Sequence, residues 1–261
     1  MPLAAEAMTA ATAAPDVAGL LAALERVRDP ELDEPITSLG FVAGCAISAD
    51  GNAEVRLRLP TYFCAPNFAY LMAADAYDAV TALPGVRTAR VLLADHFAAD
   101  AINSGVAAQA GFMQSFSGEA AAELDGLRTD FLRKAVLAGT DQVCRALRAS
   151  NQVPAGDAGL ARLKTLTLAE VPPSPAASRL RRRRAELGLP AGDDALLLID
   201  PASGEAVDPD AVPLYLGRAR LTAVSIEANA SICRGMLRHR YRAPGLGESG
   251  RAEPHPCEEK P

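Results

Sequence analysis

A chain of 261 residues with 49% hydrophobic content is long enough to bury one large core or two smaller ones. Its net charge of −6 argues against the basic surface that broad nucleic-acid binding needs, and no stretch is apolar for long enough to span a membrane. Five cysteines, at 45, 64, 144, 233 and 257, form no CxxC pair, so reduced thiols in a cytoplasmic protein are expected rather than a disulfide framework.

Residues 1–14 lack the basic start and leucine-rich centre of a signal peptide and read as a flexible leader. Asp16, after Pro15, is placed to cap a helix whose Val17, Leu20, Leu21, Leu24 and Val27 form one stripe. That helix must end by Asp29-Pro30, because a residue before proline is pushed out of helical geometry. The segment DPELDEPITSLGFV follows, with Gly40 permitting a turn. Two strands, Phe41–Ser48 and Ala53–Leu59, flank the turn signal Asp50-Gly51-Asn52. Pro66 suits the first turn of a helix running to Leu83, and Val86–Leu93 reads as a third strand. Helix, strand, strand, helix, strand predicts a small α+β domain over residues 15–97.

The stretch PTYFCAPNF, Pro60 to Phe68, sets Cys64 between the second strand and its following helix. A thiol just before a helix N-terminus meets unpaired amides and the positive end of the dipole, which favours its thiolate. Cys64 is therefore a candidate metal ligand or nucleophile. The alternative is a small buried hydrophobe at a turn, the common fate of a free cysteine.

Residues 98–242 read as a mainly helical extension with one or two short strands. Residues 119–149 carry a helical apolar face that includes Leu124, Leu127, Val136, Val143 and Leu147. ARLKTLTLAE, residues 161–170, alternates loosely and could be a strand, and Ala195–Ile199 reads as a short buried strand. Arg179 and Arg181 to Arg184 read as a solvated helix face. A helix over Ser225–Tyr241 places Glu227, Asn229 and Cys233 near one another, with core packing the plainer role for Cys233. Residues 243–261 are rich in proline, glycine and charge, the composition of a disordered tail.

Three features in order give residues 16–95 their likeness to a known family. They are Asp29-Pro30-Glu31 followed by Ile36-Thr37-Ser38-Leu39-Gly40, the hairpin leading into Thr61 and Cys64, and the helix end Ala82-Leu83-Pro84-Gly85-Val86. The segment resembles the iron-sulfur cluster assembly domain typified by the bacterial PaaD and SufT proteins. Ala65 stands between Cys64 and Pro66 where the family often has Cys-Pro, and Ser38 replaces its usual aspartate. No role for an acid at position 38 is therefore carried over.

The resemblance implies accessory work on metal centres, with iron or an iron-sulfur cluster held transiently. Cys64 would bind the cofactor as one soft thiolate ligand. A cluster normally takes four, so the others would come from a second copy in a homodimer, a partner, or residues brought near. Glu31 and His96 are the candidate metal ligands beside Cys64, whereas Asp29 next to a proline suits a turn and a lone histidine suits local hydrogen bonding. The implied partners are other iron-sulfur assembly proteins and a client apo-metalloenzyme recognised by the extension. Extended relatives resemble accessory proteins of di-iron monooxygenases, which makes such an enzyme one candidate client. No Walker loop, dinucleotide glycine motif, GxSxG elbow or HExxH is present, and a maturation factor or chaperone is expected rather than an enzyme. The rival readings are a metal-free scaffold and a thiol enzyme in which Cys64 is activated by His96 or His239.

Overall fold

The computed structural model describes residues 16–118, 120, 122–242 and 258–260. The expected leader, and residues 243–257 and 261 of the expected tail, lie outside them. The described residues divide into two compact units, one drawn from Met1–Arg28, Pro35–Ala121 and Met236–Pro261, the other from Asp29–Glu34 and Ala122–Gly235.

The first unit opens with α1 (Val17–Leu24), whose Asp16 side chain accepts from the Gly19 amide at 2.7 Å as the capping pattern predicts. Strands β1 (Val42–Ser48) and β2 (Asn52–Leu57) form an antiparallel hairpin in the register Cys45↔Val55. Gly51 carries the turn with φ +82°, and a Cβ there would lie 2.2 Å from the Gly85 carbonyl oxygen. That position therefore demands glycine twice over, for its backbone angle and for the close approach. Helix α2 (Pro66–Thr81) crosses over to β3 (Thr88–Leu93), which runs parallel to β2, as a crossover connection allows and a tight hairpin could not. The sheet order is β3-β2-β1-β4, with β4 (Glu258–Lys260) parallel to β1, so part of the expected tail is a strand.

Alternation along β2 sends Ala53, Val55 and Leu57 inward, where they join Ile47, Val91 and Leu93. The buried faces of α1 and α2 complete this core through Leu20, Leu24, Tyr70, Met72, Ala76 and Val80. Each buried large aliphatic contributes about 1.5–3 kcal/mol relative to exposure. Helices α3 (Ala99–Ala107) and α4 (Phe112–Ser115) follow β3. Asn103 of α3 donates to the Leu93 carbonyl at 3.1 Å and accepts from the Leu93 amide at 2.8 Å, so its carboxamide imitates a neighbouring strand at the β3 edge. Cys45 of β1 is disulfide-bonded, which corrects the expectation of wholly reduced thiols. The absence of a short cysteine spacing carried no warning, because a pair joined by the fold needs none.

The second unit contains α5 (Asp125–Ala149), α6 (Gly156–Thr165), α7 (Pro175–Glu186) and most of α8 (Val212–Arg240). Its core includes Val136, Cys144, Leu147, Leu163, Leu180 and Leu197. The strand expected over 161–170 is instead the end of α6 and a 3-10 turn at Leu168–Glu170. Leu163 and Leu166 are three apart, a spacing that suits a helical stripe better than alternation, and Thr167 closes the following turn with a capping box to Glu170. Ala195–Ile199 is buried but makes only isolated bridges, Thr167 to Leu196 and Ile199 to Ala206.

The arginine run corrects a further expectation, for Arg183 and Arg184 are buried. Arg184 donates to the carbonyl of Leu196 at 2.8 Å and to that of Leu197, and burial pulls its guanidinium down to about 10. Arg181 donates to the Leu168 and Ala191 carbonyls, both at 2.9 Å. These side chains satisfy backbone acceptors of an irregular segment that has no ladder to do so.

The loop Asp29–Glu34 belongs to this unit. Asp29 accepts from the amides of Glu31 at 2.9 Å and Leu32 at 2.8 Å, the turn-forming role its proline neighbour suggested. Asp33 pairs with Arg183 at 2.6 Å, Glu34 with Arg234 at 2.5 Å, and Glu31 accepts from Asn229 at 3.3 Å.

Two outcomes are expected. Arg184→Met, which leaves buried carbonyls without donors, should cost on the order of 3 kcal/mol of stability in chemical denaturation. Burial pushes the Asp29 carboxyl from 3.8 up to about 6, over the opposing pull of its two backbone bonds. The folded state thus holds this proton more tightly than the unfolded chain, so the stability it contributes is full below about pH 4 and is lost as pH rises through about 6. Asp29→Asn, which keeps the acceptor oxygen, should raise stability at pH 7 by up to about 3 kcal/mol and abolish that pH dependence in unfolding titrations.

Candidate functional site

Two turns meet at one end of the sheet in the first unit. The chain leaves β2 through Leu59 and Pro60, both buried, and makes the turn Thr61–Cys64 before α2. It leaves β3 through Asp95, whose φ of +52° bends the backbone sharply. His96 is buried and ties the turns together. Its Nε2 donates to the Cys64 carbonyl at 2.7 Å, and its Nδ1 accepts from the Ala98 amide at 3.2 Å. Those partners require the neutral tautomer protonated on Nε2. Burial, and secondarily the Arg240 charge, hold the imidazole below its ordinary pKa, in keeping with that neutral form. The Phe97 amide donates to the Tyr62 carbonyl at 3.1 Å. Arg240, in the last turn of α8, donates to the carbonyls of Leu59 at 3.0 Å and Asp95 at 2.5 Å, so every strand end here has a partner.

Held in this way, Cys64 is half-buried and its thiol remains free. Sγ lies 3.3 Å from the Thr61 hydroxyl, close enough for a hydrogen bond in either direction. Helix α2 begins two residues later, and its N-cap residue Ala65 offers no side-chain cap. The same two turns carry Tyr62, Phe63 and Phe97, which are 48%, 76% and 49% exposed. Their rings contact one another, Tyr62 to Phe63 at 5.0 Å and Phe63 to Phe97 at 5.9 Å. Three neighbouring aromatic rings left in water form an apolar rim of the kind that protein interfaces use.

Of the three candidate ligands, the fold brings Cys64 and His96 together, but through the cysteine's backbone. Both imidazole nitrogens are occupied, so His96 as placed orients the turn rather than offering a lone pair. Glu31 belongs to the second unit, where Asn229 donates to it. Of Glu227, Asn229 and Cys233, Glu227 pairs with Arg145 at 2.6 Å and Asn229 donates to Glu31 at 3.3 Å. Among the described residues no group of three or more His, Cys, Asp or Glu side chains could hold a metal ion. An iron or cluster cargo would thus find one soft ligand here, and its remaining ligands would be its own or another protein's. The aromatic rim and Arg240 were not anticipated. The Tyr62-Phe63 pair beside Cys64 was a readable cue, whereas Phe97 and Arg240 are brought there only by the fold.

No helix among the described residues is long and apolar enough to cross a membrane. Residues 18–93 match the family model described as iron-sulfur cluster assembly protein. No curated protein and no solved structure matches the chain.

The thiols should separate by reactivity. Cys144 is sealed in the second core, where burial pushes its thiol up to about 12. Under native conditions iodoacetamide should label Cys64 at least about tenfold faster than Cys144, as read by peptide mass spectrometry. Equal rates would mean that Cys64 is not reachable.

Proposed function

Starting from a domain of the iron-sulfur cluster assembly family over residues 18–93, we propose that the chain is an accessory factor that passes iron or an iron-sulfur cluster to a client apo-metalloenzyme. The observation that carries this reading is the pairing of the family match with a free, half-buried thiol on a turn that also carries exposed aromatic rings. Cys64 supplies one thiolate to the cargo and loses its proton as it binds. A client cysteine then takes that coordination position, and the Cys64 thiolate leaves and is reprotonated. A single ligand suits transfer, because a cargo held at one point is easily surrendered, whereas four protein ligands make a resident centre. The rim of Tyr62, Phe63 and Phe97 gives the client or another assembly protein an apolar surface to dock on beside the thiol.

The reading treats the chain as an adaptor rather than a turnover enzyme. A thiol enzyme would need a base on the sulfur, and His96 has one ring nitrogen on the Cys64 carbonyl and the other on the Ala98 amide. The metal-free scaffold is the rival reading, in which the exposed Tyr62, Phe63 and Phe97 alone would serve as a docking surface. A di-iron monooxygenase is the client class to test first, on the resemblance of extended relatives to its accessory proteins.

Cys64→Ser decides between carrier and scaffold. In anaerobic transfer assays from a cluster-loaded donor, the variant is expected to lose roughly 90% or more of client activation and of bound iron, with unchanged folding, in line with the loss of a sole thiolate ligand. A variant that activates the client as well as the parent protein would leave the scaffold reading standing instead.

A further inference from the structure

Helix α8 has two apolar faces, and the fold uses one. Val212, Tyr215, Ala219, Ala223 and Ala230 are buried, in steps of three, four and seven. On the other side, Leu214, Leu221, Val224 and Ile232 are 78%, 74%, 43% and 56% exposed. With Gly217, Ala228 and Gly235 they line one face: positions 214, 217, 221, 224, 228 and 235 keep the heptad spacing, in which a seam repeats every 3.5 residues, and Ile232 stands one residue off it. From Leu214 to Gly235 this second seam lies wholly within the second unit and runs about 32 Å at 1.5 Å per residue.

Among the described residues nothing packs against its two glycines. A Cβ added at Gly217 or at Gly235 would meet nothing within 4 Å, so neither is needed for internal packing. Each nevertheless weakens the helix by about 1 kcal/mol relative to alanine. Glycine on an open helix face is accounted for when another backbone must come close.

The order of large and small residues identifies what comes close. About a point between Val224 and Ser225, the seam is complementary to its own reverse: Leu214 faces Gly235, Gly217 faces Ile232, and Leu221 faces Ala228. An antiparallel copy of the same helix therefore sets each large side chain over a small one, the packing that knobs and holes require. The charges agree. Arg220 and Glu227 lie on one flank of the seam, and in this register Arg220 of each copy comes within two residues of Glu227 of the other, twice over by symmetry. Within the chain each already has a partner, Arg220 facing Asp141 at 3.4 Å and Glu227 facing Arg145 at 2.6 Å, so in the dimer the two pairs would join in one network across the seam.

We propose that α8 is the seam of a two-fold homodimer in which two copies of this chain pair antiparallel through Leu214, Leu221 and Ile232. The dimer does not depend on the cluster-transfer reading, and either can fail alone. Sedimentation velocity of the full chain in the micromolar range is expected to give twice the 27.2 kDa chain mass. Leu221→Glu and, separately, Gly217→Leu should weaken association at least about 100-fold with an unchanged far-ultraviolet circular dichroism spectrum, the first by burying a charge and the second by filling a hole. Because Gly217 faces open space, its variant should fold even if Leu221→Glu does not. Ser225→Cys, next to the two-fold, should cross-link to itself under mild oxidation, whereas Leu214→Cys should not. A monomeric parent protein, a dimer indifferent to both seam variants, or self-cross-linking through Leu214→Cys would each overturn the proposal.

Discussion

The hydrogen bond from His96 to the Cys64 carbonyl is the constraint on which the site depends. Pairing along β2 and β3 stops short of both turns, and a turn with unpaired backbone groups would be free to move. One buried imidazole closes that gap by using both nitrogens on backbone groups of the two turns. The thiol keeps its place because the carbonyl of the same residue is pinned, while the sulfur lies 3.3 Å from the Thr61 hydroxyl. The backbone is thus fixed while the side chain is left half-buried and unbonded to another sulfur.

The same geometry limits the chemistry. A histidine committed to backbone cannot also serve as base or ligand without releasing a turn, and Glu31 is engaged by Asn229 in the other unit. One thiolate is a poor resident site for iron and a reasonable transient one. Under the carrier reading proposed above, the exposed rings of Tyr62, Phe63 and Phe97 would supply the surface contacts that a cargo held at one point does not.

The second unit rests on buried arginines rather than on a sheet. The segment Ala195–Ile199 crosses the core with isolated bridges alone, and Arg184 supplies donors to its carbonyls. Arg183 and Arg234 hold the acidic loop Asp29–Glu34. Within the same unit Asp29 closes a turn and Glu31 accepts from Asn229.

Local patterns were sufficient for the first unit. Alternation in β2, the Asp16 cap, the glycine at position 51 and the proline opening α2 each act within a few residues, so helix, hairpin, crossover helix and third strand were legible with ends shifted by a few residues. Cys64 was legible for the same reason, as a thiol at a strand-to-helix junction. Tertiary structure alone decided which partners long polar side chains reach. A solvated arginine run and a buried one look alike in sequence, because an arginine stem suits either and only the position of distant carbonyls chooses. It also decided that His96 faces a backbone carbonyl instead of a sulfur, and that Cys45 is disulfide-bonded. Sequence by itself determined where chemistry-bearing residues stand along the chain; the fold determined what each of them has left to offer, since hydrogen bonds and burial are shared with residues far away in the chain.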